Sequence, residues 1–307
     1  SAFSQLSGTY TVGAGQTYTT IDAAISALTT NGVSGPVTFS IASGTYTPGT
    51  NGYTLPLVTG MSATNKVTFK PAVGATVTIS GATGTYSTYS VVNFVGGKYY
   101  VIDGSNVVGG TSKDMTIRQT EANYQGTIWF KNDADFNTVK NCVLQASALY
   151  GTISYGGGII LIGQSTAASG NDSNVIDNNT IGDPTATYRS NYAIYCYGQS
   201  ATIQNLGNKF SNNDVINFGN GTATSQTFGI YHYYYNKGTI IANNKFHMTV
   251  AHPGYFIYAL YLYGTTGGGN ITLDGNKFYD LTANPAQYGY QYLYFYSYCA
   301  DATSTLN

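Results

Sequence analysis

Charged residues are scarce in this sequence. Only 8% of its 307 residues are Asp, Glu, Lys or Arg, where an ordinary domain has roughly 25%. The 12 Lys and Arg residues are scattered and the formal net charge is −1, which argues against nucleic acid as a partner. A surface with so little charge must consist of Ser, Thr, Asn, Gly and Tyr. Such a surface suits an extracellular or cell-surface location, so we expect a secreted protein.

Cysteine and long apolar runs are also scarce. The cysteines Cys142, Cys196 and Cys299 lack zinc-site spacing and are predicted to be small buried residues. No run of about 18 apolar residues occurs, so no membrane span is predicted. The first residue is Ser1, as expected of a processed chain, and only small or polar residues apart from Leu306 follow Cys299. The last coil is therefore expected to end open.

Internal repeats are the main feature that is present. An Asn-led triplet such as Asn244-Lys245-Phe246 recurs at unequal intervals, and its anchors are Asn141, Asn179, Asn208, Asn244 and Asn276. Unequal spacing of a constant anchor is typical of a solenoid with loops of different lengths. Asn tolerates left-handed backbone conformation in tight turns, and stacked amides can bond along the axis. We therefore predict one ladder of turn asparagines.

Each repeat holds two further short strands. One is β-branched, as in Asn174-Val175-Ile176, and the other is apolar, as in Ala193-Ile194-Tyr195-Cys196. No crossover-helix pattern lies between them. Three strands per coil without a helix predict an all-β, parallel β-helix.

The N-terminal segment differs from the repeats. Ile21, Ala24, Ile25 and Leu28 have helical spacing, and Gly32 follows as a stop signal. We predict a short helix that caps the open end of the core. The predicted organisation is a single domain over 1–307, with the cap and first coil over 1–46, coils over 47–298 and a C-terminal tail over 299–307.

The segments Tyr18-Thr19-Thr20-Ile21, Pro36-Val37-Thr38-Phe39 and Ser43-Gly44-Thr45-Tyr46 resemble the N-terminal region of pectin-lyase-like right-handed parallel β-helices. Gly8 to Gly13 is similar to the openings of secreted surface proteins of Bacteroidetes-type bacteria. These resemblances imply the right-handed fold and secretion. They do not imply an activity, because the fold hosts many functions.

Tyrosine forms two predicted ladders. In the apolar strands, Ile194 and Cys196 mark the core side, so Tyr195 and Tyr197 should point outward. We therefore predict a Tyr-rich surface for binding or assembly. It consists of Tyr195, Tyr231, Tyr261 and Tyr294 in one ladder, Tyr197, Tyr233, Tyr263 and Tyr296 in the other, and Trp129.

Catalytic signals are weak. The Asn-Thr-Asp, Asp-Asp, Gly-His-Gly and Arg-Ile-Lys motifs of polygalacturonase-like members do not occur. Asp133 and Asp135 are the best acidic cluster, more typical of turn caps than of a calcium site. No catalytic residue and no required cofactor is predicted, and the pattern favours a protein that is not an enzyme.

Three functions remain open from the sequence. The main hypothesis is an extracellular structural protein that self-associates into a filament or surface layer through open coil ends and the Tyr-rich surface. The alternative is a protein that binds or degrades extracellular polysaccharide, with the Tyr residues and Trp129 as its platform. A third hypothesis is an adhesin or passenger domain.

Overall fold

The computed structural model describes residues 4–81, 89–120, 126–147, 158–163, 165–219, 226–251, 256–263, 268–281, 293–295 and 305–306. Within these ranges the chain forms a solenoid of short parallel strands and one helix. The fold is a right-handed parallel β-helix, as predicted.

Three parallel sheets form the walls of the solenoid. Sheet A contains β1 (Leu6–Val12), β2 (Val33–Ile41), β5 (Val67–Pro71), β8 (Tyr100–Asp103), β11 (Thr138–Lys140), β14 (Val175–Asp177), β18 (Lys209–Ser211), β22 (Ile240–Ala242), β25 (Thr272–Asp274) and β28 (Thr305–Leu306). Sheet B contains β3 (Gly44–Tyr46), β6 (Val77–Ser80), β9 (Met115–Gln119), β12 (Cys142–Ala146), β15 (Thr180–Gly182), β19 (Asp214–Ile216), β23 (Lys245–His247) and β26 (Lys277–Phe278). Sheet C contains β4 (Tyr53–Pro56), β7 (Ser90–Val95), β10 (Gly126–Lys131), β13 (Gly158–Ile162), β16 (Tyr192–Cys196), β20 (Gln226–His232), β24 (Phe256–Leu262) and β27 (Leu293–Phe295). A small separate sheet pairs β17 (Asn205–Leu206) with β21 (Asn236–Lys237).

The apolar core runs along the axis between the three sheets. In sheets A and B alternate residues point inward, and in all three sheets the inward side chains stack on those of the next coil. Phe94 and Phe130 show this, with ring centroids 4.6 Å apart and planes 4° apart. Core stacking of this kind fixes the register of the sheets, because a slip by one residue would expose the whole column.

The N-terminal end of the core is covered by α1 (Ile21–Asn31), as predicted. Thr20 caps the helix through its side-chain oxygen, which accepts a hydrogen bond from the backbone N–H of Ala23 at 3.0 Å. Gly32 ends it with a positive φ of 67°. The buried face of α1 packs on β1 and β4.

The predicted single asparagine ladder is wrong for Asn141 and Asn208, because the structure contains separate ladders at different corners. Asn137, Asn174 and Asn208 stack before strands of sheet A. Asn179, Asn213, Asn244 and Asn276 stack before strands of sheet B. Asn141 lies one position earlier and accepts a hydrogen bond from Asn178 at 2.8 Å.

The misassignment has a physical cause. Asn precedes strands at two successive corners of a coil, so the triplets led by Asn208 and Asn244 look alike although β18 and β23 belong to different sheets. Asn141 itself has a left-handed backbone conformation. In later coils this conformation occurs at the residue before each ladder asparagine, for example at Asn178 (φ 51°) and Asn243 (φ 56°).

The remaining predictions concern the C-terminal end and the cysteines. β28 pairs with β25 within the segment that was predicted as a tail. Cys142 and Cys196 are free and buried. Cys299 lies outside the described residues.

Candidate functional site

The outer face of sheet C carries a continuous column of large side chains. The backbone register places Trp129, Leu161, Tyr195, Tyr231, Tyr261 and Tyr294 opposite one another on successive coils. The ring centroids of Tyr195 and Tyr231 are 5.0 Å apart, and those of Tyr261 and Tyr294 are 4.6 Å apart with planes at 8°. We call this set the second column, because another column of aromatic residues precedes it along the strands.

A third column follows two residues later along each strand. It contains Lys131, Gly163, Tyr197, Tyr233 and Tyr263, which the backbone hydrogen bonds between coils hold in register. Tyr233 and Tyr263 stack at 5.0 Å, whereas Tyr197 and Tyr233 are tilted at 36°. Tyr296, predicted to extend this column, lies outside the described residues.

A first column was missed by the sequence analysis. Tyr192, Phe228 and Tyr258 stack with centroids 4.9 and 5.1 Å apart, and they meet the second column edge to face. Strict alternation would place Tyr192 on the core side with Ile194. In the structure Ala193 and Ile194 are both buried in the core, and Tyr192 lies on the outer face. The alternation therefore breaks at Ala193.

A signal for this break is present in the sequence. The position after each first-column aromatic residue is occupied by Ala193, Gly229 or Ala259. A Cβ at Gly229 would lie only 2.5 Å from the carbonyl oxygen of Ala259. At Gly229 the coils approach too closely for a side chain, whereas the equivalent position of an earlier coil holds the buried Ile159.

The three columns form one surface, which we call the tyrosine wall. Its side chains lie outside the main core, and Trp129, Leu161 and Tyr195 form a separate apolar cluster on the outside of the sheet. Tyr195 is only 9% exposed, while Tyr231 and Tyr261 are half-buried. Because the rings stack face to face within a column, neighbouring rings cover their faces, and the half-buried members are the part of the wall that solvent reaches.

Three phenols of the second column have raised pKa values. Burial raises the pKa of Tyr195 and Tyr231, and neighbouring tyrosines raise it further. Burial also raises the pKa of Tyr261 to about 12. These three hydroxyls are therefore neutral across the physiological pH range.

One end of the wall has a different composition. The Lys131 ammonium lies 3.9 Å from the centroid of the Trp129 ring and 5.1 Å from that of Tyr89. Burial lowers the pKa of Lys131 to about 8. The indole Nε1 of Trp129 is buried and has no hydrogen-bond partner. A Cβ at Gly163 would overlap this nitrogen, so glycine leaves room for the indole.

The predicted acidic cluster lies at the corner after β10. Lys98 binds Asp133 at 2.9 Å and Asp135 at 2.7 Å. Asp135 accepts a hydrogen bond from the backbone N–H of Asp172, and Asp172 accepts one from Leu206. In the part of the chain that the structure describes, no group of three or more acidic, His or Cys side chains could hold a metal ion. The two candidate calcium ligands are instead engaged by a lysine.

The electrostatics of this corner follow from burial and crowding. Burial first, and then the neighbouring carboxylates, raise the pKa of Asp172 to about 6. Hydrogen bonds from Ser169 and Lys98 lower the pKa of Asp133, against the effect of burial. Opposite shifts are common in acid–base pairs, but the carboxylate oxygens of Asp135 and Asp172 bond the backbone of the next coil.

No family model and no curated protein sequence matches the chain. Among solved structures, it is similar to the pectin methylesterase of Aspergillus niger, with a TM-score of 0.50, 15% identity, and coverage of 99% of this chain and 91% of that one. It is also similar to an alginate lyase of Paenibacillus sp., with a TM-score of 0.50 and 14% identity. This match covers 92% of this chain and 97% of the lyase chain. At this identity the likeness shows the fold alone.

Among the described residues, no helix has the length and apolar character needed to cross a bilayer.

Proposed function

We propose that this protein binds an extracellular polysaccharide on the tyrosine wall. The observation that carries the proposal is the recurrence of half-buried tyrosines on the outer face of sheet C at the spacing of the coils, in the pairs Tyr231 and Tyr261 and Tyr233 and Tyr263. Large exposed aromatic surfaces mark interaction sites, and Tyr combines apolar area with a hydrogen-bonding tip. A regular array suits a linear polymer whose apolar edges and hydroxyls also repeat.

The known proteins of similar fold support this proposal. Their names point to pectin and alginate as the polymers on which they act. A secreted location accords with the low charge of the chain and with such a ligand. Binding is the part of their function that the wall can supply with its own residues.

The test is affinity gel electrophoresis of the full chain in gels that contain soluble polysaccharides. We expect retardation of the native protein by at least one polymer. Changing Tyr233 and Tyr263 together to Ala should weaken retention by about tenfold or more. The matched control is Tyr279→Ala, because Tyr279 is 40% exposed and stacks on His247, away from the wall. No retention by any polymer, or equal loss in the control, would contradict the proposal.

Catalysis is tested in the same samples. Incubation with each retained polymer, followed by assays for new reducing ends and for unsaturated uronates, separates binding from cleavage. We expect binding without new chain ends, because Lys131 is the only charged side chain among the described residues of the three columns.

Self-association, the main hypothesis from the sequence, stays a prediction. The helix α1 covers the N-terminal end of the core. The edge of sheet A at this end is β1, where a second copy could pair. Sedimentation at high protein concentration tests it independently of any sugar.

A further inference from the structure

We infer that the polymer recognised by the tyrosine wall is a neutral, hydroxyl-rich glycan and not a polyanion; this inference rests on the proposed function. It concerns the charge of the ligand, and its basis is the charge inventory of the wall and its surroundings.

Within the described residues of the three columns, the only charged side chain is Lys131. All other members of the three columns are aromatic, aliphatic or glycine. A polyanion that lies along several coils needs repeated cations to offset the loss of water around its charges. The wall offers one cation at one end.

Lys131 is also poorly placed to attract an anion. Its ammonium faces the rings of Trp129 and Tyr89, and burial lowers its pKa to about 8. Part of the population is therefore uncharged at mildly alkaline pH. The quadrupoles of the two rings already stabilise the charged form of the amine.

The connections that lead into and out of sheet C do not add a basic rim. By sequence, the connections from sheet B into sheet C after β6 contain one cation, Arg189, and the acids Glu121, Asp183 and Asp280. Those that leave sheet C for sheet A between β4 and β25 contain Lys66, Lys98 and Lys237 against Asp133, Asp135 and Asp172. Lys98 is neutralised by its two aspartates. The surroundings of the wall are therefore neutral to acidic, and they would repel a polyanion or leave it unattracted.

The wall is suited to neutral hydroxyl groups instead. A phenol carries no charge and can both donate and accept hydrogen bonds, and the half-buried Tyr231, Tyr233 and Tyr261 are members of the wall that a ligand can reach. The ring edges between the phenols can cover the apolar C–H surface of a sugar. Neither interaction depends on ionic strength.

The test uses two sets of polymers in affinity gels at low and high salt. The neutral set is soluble β-glucan, xylan and galactomannan, and the polyanionic set is alginate and polygalacturonate. We expect at least one neutral polymer to bind about tenfold more tightly than either polyanion, with retention unchanged by added salt.

The outcomes separate the two proposals. Retention by the polyanions alone, lost at high salt, would overturn the inference and leave polysaccharide binding intact. Retention that Tyr233→Ala with Tyr263→Ala does not weaken would place binding elsewhere and overturn both. Retention by neither set would refute the proposed function, and the inference would fall with it.

Discussion

The ring of Tyr231 stacks on the ring of Tyr261 with centroids 4.8 Å apart and planes 14° apart, although the two residues belong to different coils. Backbone pairing between β20 and β24 sets the spacing, and both rings stay half-buried on the outer face of the sheet. The wall thus stabilises the solenoid, and its half-buried members stay accessible to a ligand.

Replacing Tyr231 with Ala should destabilise the protein. The change removes stacking on Tyr195 and Tyr261, and each aromatic pair contributes about 0.5–1.5 kcal/mol. We expect a loss of about 1–3 kcal/mol in the free energy of unfolding, measured by denaturant titration. Tyr231→Phe keeps both stacks and should stay close to the native value. An alanine variant as stable as the native protein would contradict the stacking account.

The ladder asparagine Asn213 should be more sensitive still. Its side chain accepts from the backbone N–H of Asn179 and donates to the carbonyl of Ile176, both buried. Asn213→Ala leaves these groups unpaired, at a cost of about 1–3 kcal/mol each. The control is Asn212→Gly next to it, which keeps the positive φ of 56° at an exposed position. Equal unfolding midpoints for the two variants would refute this role.

His232 should make stability depend on pH. It is buried in the core, bonds Thr239 at 2.9 Å, and has a pKa lowered by burial to about 4. Between this value and the ordinary value near 6.5, the unfolded chain binds the proton and the folded chain does not. This contribution to stability is therefore full above about pH 6.5 and is lost as the pH falls toward 4.

The matched variant is His232→Leu, because Leu262 occupies the equivalent position in the next coil. The unfolding free energy of the native protein minus that of the variant should fall by roughly 3 kcal/mol from pH 7 to pH 4, because only the native protein has His232. The raised pKa of Asp172 acts in the opposite direction in both proteins and cancels in the difference. A difference that is constant with pH would show that His232 titrates normally.

Trp129 provides a direct probe of Lys131, since it is the only tryptophan in the sequence. The ammonium lies over the indole, so loss of its proton should change the fluorescence. We expect a transition with a midpoint near pH 8, following the pKa of Lys131, which burial lowers to about 8. Lys131→Met should abolish it. A transition that persists in this variant would assign it to another group.

The sequence predicted the repeating framework because coil stacking repeats the same physical requirement in each turn. Ile194 and Cys196 identified the inward side, and the helix signals from Ile21 to Gly32 identified the cap. The asparagine corners were confused because Asn208 and Asn244 satisfy the same requirement at two different corners. Tyr192, Phe228 and Tyr258 were missed because two consecutive residues enter the core in strands of sheet C, as Ile159 and Ile160 do, and this local break in alternation has no strong sequence signal.

The most direct test of the hydroxyl array is a triple variant with Tyr231→Phe, Tyr233→Phe and Tyr261→Phe. It keeps the rings and their stacking while removing phenol oxygens from the second and third columns. Affinity gels with the polymer that retains the native protein give the measurement, and thermal unfolding confirms that the fold is kept. We predict that retention falls about tenfold or more at an unchanged melting temperature. Full retention by this variant would contradict recognition through the tyrosine hydroxyls.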